Sequence, residues 1–387
     1  MKTLKSLLII CLGALMFTGC EQLDDSSTSN KGNGTDQAAE DVDIPTEGLY
    51  FHISKRNIYD DGVDKVIFTV YLDGEILTEG YEIYLGDNLY EGGNSFSSTK
   101  QGVYTFWASY GALFTSNTYV TVIATPPTPP AAPVDNNPSK TNFKRRVLLT
   151  QFTGTGCGYC PNMVNALYQV TSVKSLNDKI VLAAAHLYNA NDPAYLLDAK
   201  TLDNSLGVQG FPCIYADLNN ATATSASYAA VTKLINDSYA RTEAKGGIAV
   251  NSKYYEQEGY IVLHATVKAN TSTAFRIGAW LLEDNISGVQ ANYGTTPLAG
   301  VNLDIHNNCI RFADSQYSNM DYSGVFLANI EAGKTASKWF AFKMEKNWKP
   351  ENLRVIVFIS TKEGNKWLVN NVVKCPKDGS VDFEYTE

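Results

Sequence analysis

The strongest constraint in this chain is a Cys-x-x-Cys placed where a strand pattern gives way to a helical one. Arg146-Val147-Leu148-Leu149-Thr150-Gln151-Phe152 reads as a buried strand. Thr153-Gly154-Thr155-Gly156-Cys157-Gly158-Tyr159-Cys160-Pro161 follows, and then Met163, Val164, Leu167 and Val170 recur at helical spacing. At such a junction the first sulfur lies at a helix N-terminus, where free N–H groups and the helix dipole favour thiolate. Two intervening residues let the second sulfur reach the first, so a mixed disulfide is resolved within the chain. Cys157 and Cys160 are therefore the candidate catalytic pair. A zinc half-site is disfavoured, because a structural site needs four ligands and neither a second Cys-x-x-Cys nor a His pair stands at ligand spacing. An inert structural disulfide is the standing alternative.

The next hundred positions extend the pattern. Lys179-Ile180-Val181-Leu182-Ala183-Ala184-Ala185-His186-Leu187 reads as a second buried strand, and residues 193–206 as a helix. Gly207-Val208-Gln209-Gly210-Phe211-Pro212-Cys213-Ile214-Tyr215 then resembles the thioredoxin segment in which glycines precede a cis-proline that opens the next strand. Residues 225–244 fit a closing helix. The resemblance covers residues 143–245 and implies an α/β thioredoxin-like domain. It also implies that Pro212 and the Phe211 backbone dock a substrate strand. Cys157-Gly158-Tyr159-Cys160 is similar to the active-site tetrapeptide of periplasmic disulfide isomerases. Two positions depart from that pattern: Gln151 stands where thioredoxins carry a buried carboxylate, and Gly156 where they carry tryptophan. Cys213 is either a small buried strand residue or a third redox thiol, and His186 reads as a satisfied core or rim histidine.

The N-terminus sets the address. Lys2 and Lys5 precede an apolar run over residues 7–16, which is too short to span a bilayer and has the length of a signal-peptide core. It ends in Phe17-Thr18-Gly19-Cys20, which resembles a bacterial lipobox, with Phe17 in place of the usual leucine. Residues 1–19 are expected to leave as a lipoprotein signal peptide, with Cys20 acylated as a stable membrane anchor (palmitate or a similar chain). Loss of Lys2 and Lys5 takes the formal charge from −9 to −11. Residues 20–47 read as an acidic flexible tether that buries no core.

Residues 48–126 alternate in short apolar stretches broken by turn residues. Val66-Ile67-Phe68-Thr69-Val70-Tyr71-Leu72 runs into Asp73-Gly74, a hairpin signal. Gly102-Val103-Tyr104-Thr105-Phe106 is similar to the tyrosine corner of immunoglobulin-like sandwiches. With no cysteine in this stretch, an all-β, disulfide-free immunoglobulin-like sandwich is expected. Five prolines between 126 and 133 mark the next boundary. Residues 127–142 are read as a semi-rigid polyproline spacer of about 3.1 Å per residue.

Residues 246–387 return to strand patterns and read as a second all-β sandwich, with a loop-rich insertion over residues 288–323. Asp304 and His306 alternate there, but two candidate ligands do not make a metal site, and no cofactor is expected. Past Cys20 five cysteines remain, so at least one thiol is unpaired. Cys309 and Cys375 are available to pair, and spacing does not decide it. The net negative charge and the absence of a basic block exclude a nucleic-acid binder.

Phe152-Thr153-Gly154, Cys157-x-x-Cys160-Pro161 and His306-Asn307-Asn308-Cys309-Ile310-Arg311 together resemble the outer-membrane-protein-twenty-eight-related lipoprotein family. That resemblance, over residues 143–387, implies an outer-membrane, lipid-anchored protein facing the periplasm or the cell surface. The sequence thus supports two functions. The first is an envelope thiol-disulfide oxidoreductase, isomerase- or reductase-like, with exported protein thiols or disulfides as substrates and an unidentified redox partner. The alternative is a surface binding or adhesion lipoprotein that uses the fold as a non-catalytic scaffold.

Overall fold

The structure, a computed structural model, describes residues 44–196, 199–219, 221–223, 225–313 and 322–386. The signal peptide, Cys20 and nearly all of the acidic segment lie outside these residues.

The N-terminal unit is built from two sheets. β1 (Leu49–Ile53) pairs antiparallel with β3 (Val66–Leu72) in one. The other runs β2 (Asn57–Tyr59), β6 (Thr118–Ile123), β5 (Gly102–Tyr110), β4 (Tyr81–Leu85). Alternation turns Phe51, Phe68, Ile83, Phe106 and Val120 into a shared core. The Tyr104 hydroxyl donates back to the Lys100 carbonyl at 2.9 Å, the bond a tyrosine corner makes.

The rest of the chain follows a different plan from the expected one. β7 (Val147–Thr153) is buried at every residue. It is parallel to β8 (Ile180–His186) and antiparallel to β9 (Cys213–Ala216). Helices α1 (Cys160–Ser172), α2 (Lys174–Asn177), α3 (Ala199–Leu206) and α4 (Tyr228–Ala240) are the only α-helices among the described residues. Pro161 starts α1, where its missing N–H costs nothing, and Met163, Ala166, Leu167 and Val170 form its buried face.

A separate α/β thioredoxin-like domain between two independent sandwiches is not what forms. The chain is mostly β. β9, β7 and β8 are one end of an eight-stranded sheet that continues through β13 (Cys309–Ala313), β12 (Thr273–Glu283), β16 (Leu353–Glu363) and β17 (Lys366–Pro376). β14 (Val325–Ile330) also pairs with β12. The junction is a parallel bridge between Ala184 and Cys309, reinforced by the Ala184 N–H on the Asn308 carbonyl at 2.8 Å. The reason lies in burial: three strands are too few to cover their own apolar faces. Phe152, Val181 and Leu202 therefore share one core with Trp280, Ile356 and Phe358 from beyond residue 245.

A four-stranded sheet, β15 (Thr335–Lys343), β11 (Tyr260–Ala269), β10 (Gly246–Tyr255), β18 (Gly379–Val381), packs on the far part of the large one. Its outer face carries the proline-rich segment, which lies against the sheet instead of standing free. Tyr255, His264 and Asn251 bond the carbonyls of Thr128, Pro130 and Ala131. The buried Lys268 ammonium holds Asp135 at 2.6 Å and the carbonyls of Pro138 and Lys140 at 2.8 Å.

Candidate functional site

β7 delivers the chain to a turn in which three successive backbone donors are taken. The Thr155 N–H donates to Asp192 at 2.6 Å, the Gly156 N–H to Asn189 at 2.7 Å, and the Cys157 N–H to the Gly154 carbonyl at 3.0 Å. A Cβ on Gly156 would meet the Asn189 amide oxygen at 2.9 Å, so the tryptophan of the thioredoxin pattern has no room here. Gln151 is buried, and its amide nitrogen has no hydrogen-bond partner among the described residues.

Cys157 and Cys160 form a disulfide and are 2% and 0% exposed. The cover comes from the loop that follows Ser287. Gln290 Nε2 reaches the carbonyls of Gly154, Thr155 and Cys157 at 3.2, 3.1 and 2.9 Å. The Ala291 N–H donates to Thr155 at 2.7 Å and the Tyr293 N–H to Gly158 at 2.9 Å. Gly158 is glycine by necessity, since a Cβ there would sit 2.5 Å from the Tyr293 ring. Tyr293 also meets Tyr159 edge to face at 5.2 Å. Asn165 on α1 fastens the same loop through the Thr296 carbonyl and the Leu298 N–H.

Phe211 and Pro212 are joined by a cis peptide bond, and the Phe211 ring packs against Tyr188. Cys213 follows as a free, half-buried thiol in register with Phe152. Burial, helped by the charge of Asp203, pushes it up to about 12, the opposite of what a redox-coupled thiol needs. Cys309 and Cys375 are also free. Cys375 lies in the larger core, where burial pushes it up to about 12.

A second cluster was not anticipated from the sequence. His186 Nδ1 meets Asp192 Oδ2 at 2.8 Å, and on its other side Nε2 stands 3.5 Å from Cys309 Sγ. All three residues are buried. Burial alone would push His186 down, but the Cys309 sulfur and the Asp192 carboxylate outweigh it and hold the imidazole up at about 10. Burial likewise works to raise Asp192, yet His186 and the N–H groups of Thr155 and Ala194 bring it down to about 2. Asp304 and His306, alternating as read, serve the covering loop. Asp304 accepts the Gln290 N–H, and His306 Nε2 bonds the Gly288 carbonyl. The only sequence signal for the cluster was a histidine closing an apolar strand with an aspartate six positions later.

Residues 199–377 match the model of the family described as outer membrane protein Omp28. Over this stretch, a little under half of its length, the chain is similar to the Omp28 family. The matched region begins with α3 and ends just past β17, so it runs through residue 245 without a break. That agrees with the shared sheet. The family's description is that of an outer membrane protein, in keeping with the envelope address expected from the N-terminal sequence. Among solved structures, HBP35 of Porphyromonas gingivalis superposes with a TM-score of 0.49 at 18% identity, over 61% of this chain and 76% of that one. A domain of the outer membrane lipoprotein Omp28 from the same organism gives a TM-score of 0.22 at 16% identity, over 36% of this chain and 99% of that one. Among curated proteins none matches the chain.

Proposed function

We propose that this chain is an Omp28-like surface lipoprotein with a binding or adhesion role, and that its Cys-x-x-Cys is a structural disulfide. The observation that carries this reading is the cover over Cys157. A thiol-disulfide oxidoreductase needs one sulfur open to the in-line approach of a substrate thiolate. Here both cysteines are buried, beneath a loop whose Gln290 amide and Tyr293 N–H are bonded to carbonyls of the turn itself. Around the cover stand exposed aromatic groups, Tyr159, Tyr168, Tyr188 and Tyr293. Such amphipathic side chains supply contact area to a partner with little loss of conformational freedom.

The test is the reduction potential of the Cys157–Cys160 pair in the full-length protein, measured against a glutathione or dithiothreitol buffer. A structural bridge sits below about −300 mV. A value above about −250 mV, together with catalysed reduction of insulin, would return the chain to the oxidoreductases and end this proposal.

A further inference from the structure

The Cys309–His186–Asp192 cluster plays no part in the function proposed above, and its geometry is that of an activated nucleophile. Sulfur, imidazole and carboxylate are in line: Cys309 Sγ to His186 Nε2 at 3.5 Å, His186 Nδ1 to Asp192 Oδ2 at 2.8 Å. A base within reach of a thiol, oriented by a third group, is the arrangement that turns a weak nucleophile into a strong one. Asp192 is itself fixed. Its Oδ2 also takes the Thr155 N–H at 2.6 Å, and its Oδ1 the Ala194 N–H at 2.8 Å.

The surrounding charges do not compete for the sulfur. Glu283, opposite Cys309 in the strand register, is committed to Arg311 Nε at 2.6 Å and to the Lys349 N–H at 3.0 Å. Asp284 is bound by Arg354 and the Asn308 N–H. His306 lies edge-on to His186 at 5.1 Å, with its Nε2 on the Gly288 carbonyl, and Asp304 is held by the Gln290 N–H. Ala194 and Ile286 close the site over Cys309, which is 0% exposed. Outside that layer, Ser287 and Val289 are already at the surface, Val289 at 85%.

We propose that Cys309 is an oxidation site for small peroxides, its sulfur activated by the His186 imidazole that Asp192 orients. Burial selects the reagent: a folded substrate or a thiol-bearing peptide does not pass Ile286, whereas hydrogen peroxide is close to water in size. The step balances without a further co-reactant. The Cys309 thiolate attacks one peroxide oxygen, and an S–O bond forms as the O–O bond breaks. Sulfur is oxidised by two electrons to the sulfenic acid. The departing hydroxide takes the proton of the His186 imidazolium and becomes water. Asp192 is a positioning residue that keeps Nε2 turned toward sulfur.

Cys213 and Cys375 are internal references, since both thiols are held protonated by burial. The full chain in detergent is exposed to hydrogen peroxide at pH 7, quenched with catalase and then unfolded in urea containing dimedone, and the three cysteine peptides are followed by mass spectrometry. The expected result is labelling of Cys309 about tenfold or more faster than either reference. His186→Gln should bring Cys309 down to the reference rate. Equal rates at all three positions, or an unchanged Cys309 rate in His186→Gln, overturn the proposal. A measurement on the unsubstituted protein needs no variant to fold.

Discussion

At the scale of single residues the chain shows how far burial alone can reset chemistry. Cys213, Cys309 and Cys375 are all free, yet only Cys309 has an imidazole within reach. Asp192 is the residue on which that difference turns, and it leaves a signature in stability. Its carboxyl is held down at about 2 in the folded chain against an ordinary value of 3.8. A depressed carboxylate contributes stability above its unfolded pKa and loses it as pH falls through the folded one. The native protein should therefore lose about 2 kcal/mol between pH 4 and pH 2 from this group. Asp192→Asn removes that titration, so urea unfolding of the variant should show a shallower acid limb. An acid limb identical to that of the unsubstituted protein would mean Asp192 is not so held. Lys268 makes a simpler case. Its ammonium satisfies one carboxylate and two carbonyls in a buried setting. Lys268→Met leaves those acceptors unpaired, and chemical denaturation should register a loss of about 3 kcal/mol.

Among elements, the loop over residues 288–300 covers the disulfide turn and is fastened to α1. It has almost no regular structure of its own and takes its shape from what it bonds: the turn before Cys157 and the first turns of α1. Gln290→Ala removes the amide that caps three carbonyls, at a cost of about 1.4 kcal/mol or more. Reduction of Cys157–Cys160 by dithiothreitol should then run about tenfold faster, read by alkylation and mass shift. An unchanged rate would show that the loop does not limit access. This is also where sequence reading ran out. The strand ending at Phe152, the strand ending near His186 and the helix begun by Pro161 were legible, because alternation, apolar runs and a proline at N1 are local signals. Gln290 over Cys157 was not, for nothing in a polar loop announces a partner 133 positions away. The cluster of His186, Asp192 and Cys309 was hidden for the same reason, its two halves lying 123 positions apart.

For the whole molecule, the eight-stranded sheet replaces the expected sequence of separate units. Arg145 and Arg241 converge on the buried Asp217, and Arg241 also binds Glu363, so the residues flanking β7, β9 and α4 are tied to one another and to β16 by charge. A fragment of residues 143–245 exposes the apolar faces of Phe152, Val181 and Leu202 that Trp280 and Phe358 cover in the intact protein. Expressed alone it should show no cooperative unfolding transition, whereas residues 143–387 should. A cooperative melt of the shorter piece would restore the independent domain.

The covering loop also imposes an order in time. In a chain exported N-terminus first, the two cysteines emerge well before the segment that will hide them, which trails Cys157 by 133 positions. While that segment is still in transit, the thiols stand open to whatever oxidises newly exported chains. Once Gln290 and Tyr293 are seated the opportunity is gone. The bridge is thus a record of an early moment in the protein's life, sealed by its own later residues.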